Sequence, residues 1–154
     1  YRRGDDVIQL LARLLCEATD ERLDFVGHIG GDDFFVIFRS ADWEMRCWQL
    51  IAGFGEAVAN LLGVDERLRG GYMAENRRGE LSFQPLPALS IGAVRIGPGD
   101  CESHREVAAA ASAAKKQAKK RAKNPASDSM GGGLFIERRS LSGGEAAVPR
   151  PRLN

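Results

Sequence analysis

The stretch FVGHIGGDDFFVIF, residues 25–38, sets two glycines and two aspartates between two runs rich in Phe, Val and Ile. Aromatic and β-branched residues favour strands, and glycine admits the positive φ of a tight turn. The pattern therefore predicts an antiparallel hairpin with strands over Leu23–Ile29 and Phe34–Arg39. Two adjacent acids at its tip have an ordinary explanation, because aspartate carboxylates accept hydrogen bonds from nearby turn amides. They also meet the needs of a magnesium site, since Mg²⁺ takes one or two carboxylates and completes its shell with water and phosphate oxygens.

Outward from the hairpin, the chain reads as an alternation of helices and strands. Val7, Leu11, Leu14 and Leu15 recur at helical spacing behind Asp5 and Asp6, which predicts a helix over 5–18 with acids at its positive end. A second helix is predicted from Asp42 to Leu62, with Trp43, Cys47, Leu50, Phe54, Val58 and Leu61 on one stripe and Gly63 as its stop. Residues 64–87 have little periodicity beyond the signal for a short hairpin around Arg78 and Gly79. LPALSIGAVRI, Leu86–Ile96, predicts a buried central strand with proline confined to its leading edge. A long helix over Ser103–Lys123 places Val107, Ala111, Ala114 and Ala118 on one face, small enough for close packing on a sheet. LFIERR predicts a last strand, and residues 140–154 a flexible tail with too little apolar content to order itself.

This order predicts an α+β fold, a mainly antiparallel central sheet with packed helices, in one domain over residues 1–139. At 154 residues with 44% hydrophobic content, the chain is long enough for one core and short for two. The first helix has no strand before it, and the opening residue is Tyr, so a preceding strand is expected to lie outside the chain. With 22 basic against 21 acidic side chains, the net charge of +1 provides no global attraction to nucleic acid or to an anionic membrane surface. No run approaches the ~18 apolar residues of a membrane span. Cys16, Cys47 and Cys101 are odd in number and widely spaced, which argues against a disulfide framework and for a reducing, cytoplasmic setting. Cys16 and Cys47 fall on apolar helical faces and are expected to be buried.

A second charged feature completes the chemistry. KKQAKKRAKN, residues 115–124, repeats Lys115, Lys119 and Lys123 every four positions and so lines one helix face with cations. Cations at a helix C-terminus offset the dipole without any ligand. Set beside the acidic turn, whose glycines let a ligand approach the backbone closely, they point to a nucleoside triphosphate: carboxylates for metal, lysines for phosphates.

GHIGGDDFFVIF resembles the signature hairpin of the GGDEF domains, the diguanylate cyclases of bacterial cyclic di-GMP signalling, which condense two GTP into cyclic di-GMP. Three further segments agree in order: YRRGDDVIQLLARLL is similar to the family's GDxxL helix start, LSIGAV to its SIG strand, and KKQAKKRAKN to its basic helix ending in Asn. The resemblance runs from Tyr1 to about Arg139 and has the flavour of GGDEF domains found at the C-terminus of proteins that also carry an EAL phosphodiesterase domain. It implies a nucleotide-cyclase or palm-like fold, Mg²⁺ or Mn²⁺ as cofactor, and a two-fold dimer in which each GTP 3′-hydroxyl attacks the other nucleotide. It also implies an attached EAL or sensory domain in the parent protein.

Residue by residue, Gly30 and Gly31 match the glycines that pass close to the nucleotide, Asp32 the metal-binding and catalytic acid, and Asp33 the position usually held by Glu. Asp5 matches the acid that hydrogen-bonds guanine, and Lys119 and Lys123 the two basic positions on the triphosphate. The family's upstream metal-binding Asp would precede this chain. Asp33 withdraws its carboxylate by roughly an ångström relative to Glu, and Mg²⁺ tolerates little error around its ~2.0–2.1 Å ligand distance, so reduced turnover is expected. The inhibitory RxxD motif reads ERLD here: Asp24 matches, Glu21 replaces the Arg, and Arg22 stands next door. The resemblance thus implies either a diguanylate cyclase or a degenerate regulatory module that binds cyclic di-GMP or GTP and controls an attached EAL domain.

Overall fold

Helix α1 (Arg2–Ala18) begins three residues before the acidic pair that was expected to open it. Its apolar stripe buries Leu10, Leu11 and Leu15, with Val7, Leu14 and Ala18 packed beside them. The Thr19 hydroxyl donates to the Leu15 carbonyl at 2.9 Å and closes the last turn. These assignments come from a computed structural model in which residues 2–75, 78–122 and 132–138 are described. Lys123 and the tail 140–154 lie outside the described residues.

The hairpin forms as predicted, with shorter strands. β1 (Phe25–Gly30) pairs antiparallel with β2 (Asp33–Ile37), from Phe25 opposite Ile37 to Gly30 opposite Asp33. The register shifts between His28 and Gly30, a bulge that leaves Gly31 and Asp32 as the connection. Strand alternation sends Val26, Phe34 and Val36 toward the helices and Phe25, Phe35 and Ile37 outward, where all three stay exposed.

Helix α2 (Trp43–Leu61) shares with α1 the core cluster against which that inner face packs. Leu50, Phe54 and Val58 meet Leu10, Leu11 and Leu15 of α1 in the main core, and each fully buried side chain of this size is worth about 1.5–3 kcal/mol. Leu61, expected on the buried stripe, is 47% exposed, and Leu62 after the helix end takes its place in the core. Of the two tryptophans, Trp43 packs on the smaller cluster of Cys47, Ile51 and Leu134, whereas Trp48 is half-exposed. Cys47 is buried, as its helical face implied; Cys16 is exposed, because it lies beyond the edge of the α1 stripe.

The stretch of weak periodicity contains the expected hairpin, β3 (Gly71–Glu75) antiparallel to β4 (Leu81–Pro85), and also a short helix that was not foreseen, α3 (Val64–Arg69). α3 buries none of its residues, so it carries no apolar stripe to read. Gly63 donates its amide to Glu66 at 3.1 Å at one end, and Gly70, with φ of 69°, ends the helix at the other.

β5 (Ser90–Val94), α4 (His104–Ala122) and β6 (Gly133–Glu137) make a parallel strand–helix–strand unit. Among the described residues the strands thus form three two-stranded sheets, two antiparallel and one parallel, in place of the single, mainly antiparallel central sheet that was expected. The connection through α4 decides the direction, because a chain that leaves a strand and returns by a helix re-enters parallel to it. β5 is half-buried along its length and bonded to β6 alone, so it is not a central strand among the described residues. Ala114 and Ala118 are fully buried where α4 lies against this sheet. Gly92 and Gly133 allow that approach: a Cβ on Gly92 would fall 2.1 Å from the Lys115 amide nitrogen, and one on Gly133 would fall 3.0 Å from the Ala118 carbonyl oxygen.

Candidate functional site

The acidic turn and the basic helix meet. Packing α4 on β5 carries Lys115 to the hairpin tip, where its ammonium lies 2.5 Å from an Asp33 carboxylate oxygen across 82 positions of sequence. The hydrogen bond from Lys115 holds the Asp33 carboxyl below the usual carboxylate range; partial burial opposes this, and the charges of Lys115 and Lys119 add to it. Both partners are more than a third exposed, so the pair is worth at most about 1 kcal/mol of stability. Its importance is positional.

The turn itself is held by its own residues. Gly30 and Gly31 have φ of 137° and 58°, values that a side chain disfavours. A Cβ at either would meet open space, so their backbone is accessible to a ligand. His28 stacks on Phe34 with ring centroids 4.4 Å apart, and its Nε2 donates to the Gly31 carbonyl at 3.0 Å. His28 is therefore a brace for the tip.

The predicted site residues divide into those brought together and those kept apart. Asp33, Gly30, Gly31 and Lys119 are gathered around the tip, with Lys119 close enough to bias Asp33 electrostatically. Asp32 occupies the exposed connection without a side-chain partner among the described residues. Asp5 is exposed in the first turn of α1 and likewise has no partner there. Lys123 falls outside the described residues.

Asp24 has a different occupation. Its carboxylate accepts hydrogen bonds from the amides of Asp20 at 3.0 Å, Arg39 at 2.8 Å and Ser40 at 3.4 Å, and from the Ser40 hydroxyl at 3.4 Å. Its side chain has 0% exposure, with the Arg46 guanidinium 3.8 Å away. Burial pushes the Asp24 carboxyl up, but these donors together outweigh it and the pKa falls below the ordinary value. Asp24 thus ties the entrance of β1 to the exit of β2 and presents no surface to a ligand. Arg22 is exposed, and among the described residues its side chain contacts no partner.

Two residues gain roles that sequence reasoning missed. Lys115 was visible as one of a row of cations, but its pairing with Asp33 depends on how α4 sits on β5. Arg46 links Asp42 at 2.9 Å, the Ala18 carbonyl at 3.0 Å and Asp24, so it joins α1, the hairpin base and α2. Its spacing of four from Asp42 was the sole signal.

A divalent cation fits poorly here. One oxygen of Asp33 is bonded to an ammonium, and among the described residues no three His, Cys, Asp or Glu side chains are grouped to hold a metal ion. No helix among the described residues is long and apolar enough to cross a membrane. No protein-family model, curated protein or solved structure matches the chain.

Proposed function

We propose that the chain is a GGDEF-like regulatory module of cyclic di-GMP signalling that binds GTP where the hairpin tip meets α4 and does not turn it over. In this reading nucleotide occupancy controls an attached EAL phosphodiesterase domain. One observation carries it: folding unites the glycine-lined acidic turn with Lys115 and Lys119, and so sets phosphate-binding cations beside backbone open to close approach. The same contact speaks against catalysis. Phosphoryl transfer of this kind depends on metal ions that neutralise charge on the transferring group, and Asp33 is already neutralised by a lysine. GTP is favoured over cyclic di-GMP as the ligand, because Asp24 has no exposed surface with which to meet the latter.

The test is equilibrium titration with a fluorescent GTP analogue, with ATP and cyclic di-GMP as competitors, beside an assay for cyclic di-GMP formed from GTP and Mg²⁺. GTP binding without product is expected. Product formation that Asp32→Ala abolishes would replace the regulatory reading with a cyclase, and absence of nucleotide binding would leave a structural role.

A further inference from the structure

We infer that Lys115 is the resident cation of the acidic turn: its ammonium occupies Asp33 in place of a divalent metal ion and keeps free Mg²⁺ or Mn²⁺ out. The contact is short and direct, and it reaches the carboxylate that a metal ion bridging the two acids would need. A bound metal and a bound ammonium cannot share that oxygen at their respective distances, since Mg²⁺ demands about 2.0–2.1 Å and near-octahedral surroundings. Lys119 adds positive potential at the same carboxylate, which further disfavours a second cation. Asp32 remains exposed beside it, and one carboxylate without a second ligand holds a divalent ion weakly in water.

Lys115 is well suited to such a role. Its backbone is fixed against Gly92, while its side chain is about two-fifths exposed, so the ammonium can leave without disturbing the core. A polyphosphate would compete with Asp33 for it. This last step rests on the proposed GTP site; the exclusion of free metal does not.

The experiment is a Mn²⁺ titration of the full chain without nucleotide, followed by the electron paramagnetic resonance of free Mn²⁺. Lys115→Met keeps the length and helix preference of the side chain and removes its charge. It should bind Mn²⁺ about two- to fivefold more tightly than the natural chain, the size of one partly solvated ion pair, and the gain should vanish when Asp33→Asn is added. Lys115→Arg, which retains the charge, should behave as the natural chain does. Equal Mn²⁺ affinity in the natural chain and Lys115→Met would overturn the inference, as would a gain that survives Asp33→Asn. The GTP titration above reports separately on the nucleotide reading, so a chain that fails to bind GTP but gains Mn²⁺ in Lys115→Met would retain this role for Lys115.

Discussion

Gly92 of β5 and Lys115 of α4 touch through their backbones: a Cβ built on the glycine would fall 2.1 Å from the lysine amide nitrogen and 2.4 Å from the carbonyl carbon of Ala114. That separation fixes the height of α4 above the parallel sheet, and with it the reach of Lys115 toward Asp33.

Gly92→Ala should therefore act on both fold and site. The added methyl meets backbone on the helix side and cannot be relieved by a rotamer change, so α4 must lift. Overpacking of this kind costs about 1–3 kcal/mol, and a urea unfolding midpoint lowered with unchanged slope would register it. Lifting α4 should also weaken the Lys115–Asp33 contact, so Gly92→Ala should gain Mn²⁺ affinity in the same direction as Lys115→Met.

Asp24→Ala should be among the more destabilising single changes in the hairpin. It leaves the part-buried amides of Asp20 and Ser40 and the more exposed amide of Arg39 without their acceptor, at a cost of about 1–3 kcal/mol for a donor that water cannot reach and less for one that it can. Chemical denaturation at neutral pH measures the loss. Asp24→Asn, which keeps an acceptor oxygen, should recover part of it.

Acid should reveal the same residue. Because the folded-state pKa of Asp24 is lowered, its contribution is fully present above the unfolded-state value near 3.8 and is lost as pH falls through the lower folded-state value. Asp33 follows the same sign through its bond from Lys115. Stability measured from pH 6 to pH 2 should decline below about pH 4, and Asp24→Asn should flatten the slope.

The three thiols should separate by reactivity. Burial, with a smaller effect from Glu44, pushes the Cys47 thiol up to about 11, so it is protonated and enclosed at neutral pH. In a timed reaction with an aromatic disulfide reagent at pH 8, exposed Cys16 should react first. Cys47 should react on the timescale of unfolding, and denaturant should bring all three to a common rate.

Lys119→Ala tests the phosphate role without touching the core, since Lys119 is exposed. It should leave the unfolding midpoint in place and weaken GTP binding about two- to fivefold, the size of one partly solvated charge contact. Unchanged GTP affinity would remove Lys119 from the site.

Local pattern alone determined the elements that rest on periodicity or turn chemistry. The glycine pair at 30 and 31 dictates the hairpin tip, the apolar stripe of Val7, Leu11, Leu14 and Leu15 dictates α1, and the alanines at 114 and 118 dictate the buried face of α4, because each depends on residues within a turn or two of one another. α3 was illegible because it buries nothing. What the tertiary structure decided is every relationship between elements. β5 bonds to β6 in parallel, Asp24 serves the hairpin base, and Lys115 reaches Asp33, since direction of pairing and contact across long separations follow from how close two backbones can come. The sequence displayed two aspartates and a row of lysines as separate charges; packing of α4 on Gly92 brought one of each, Asp33 and Lys115, into contact.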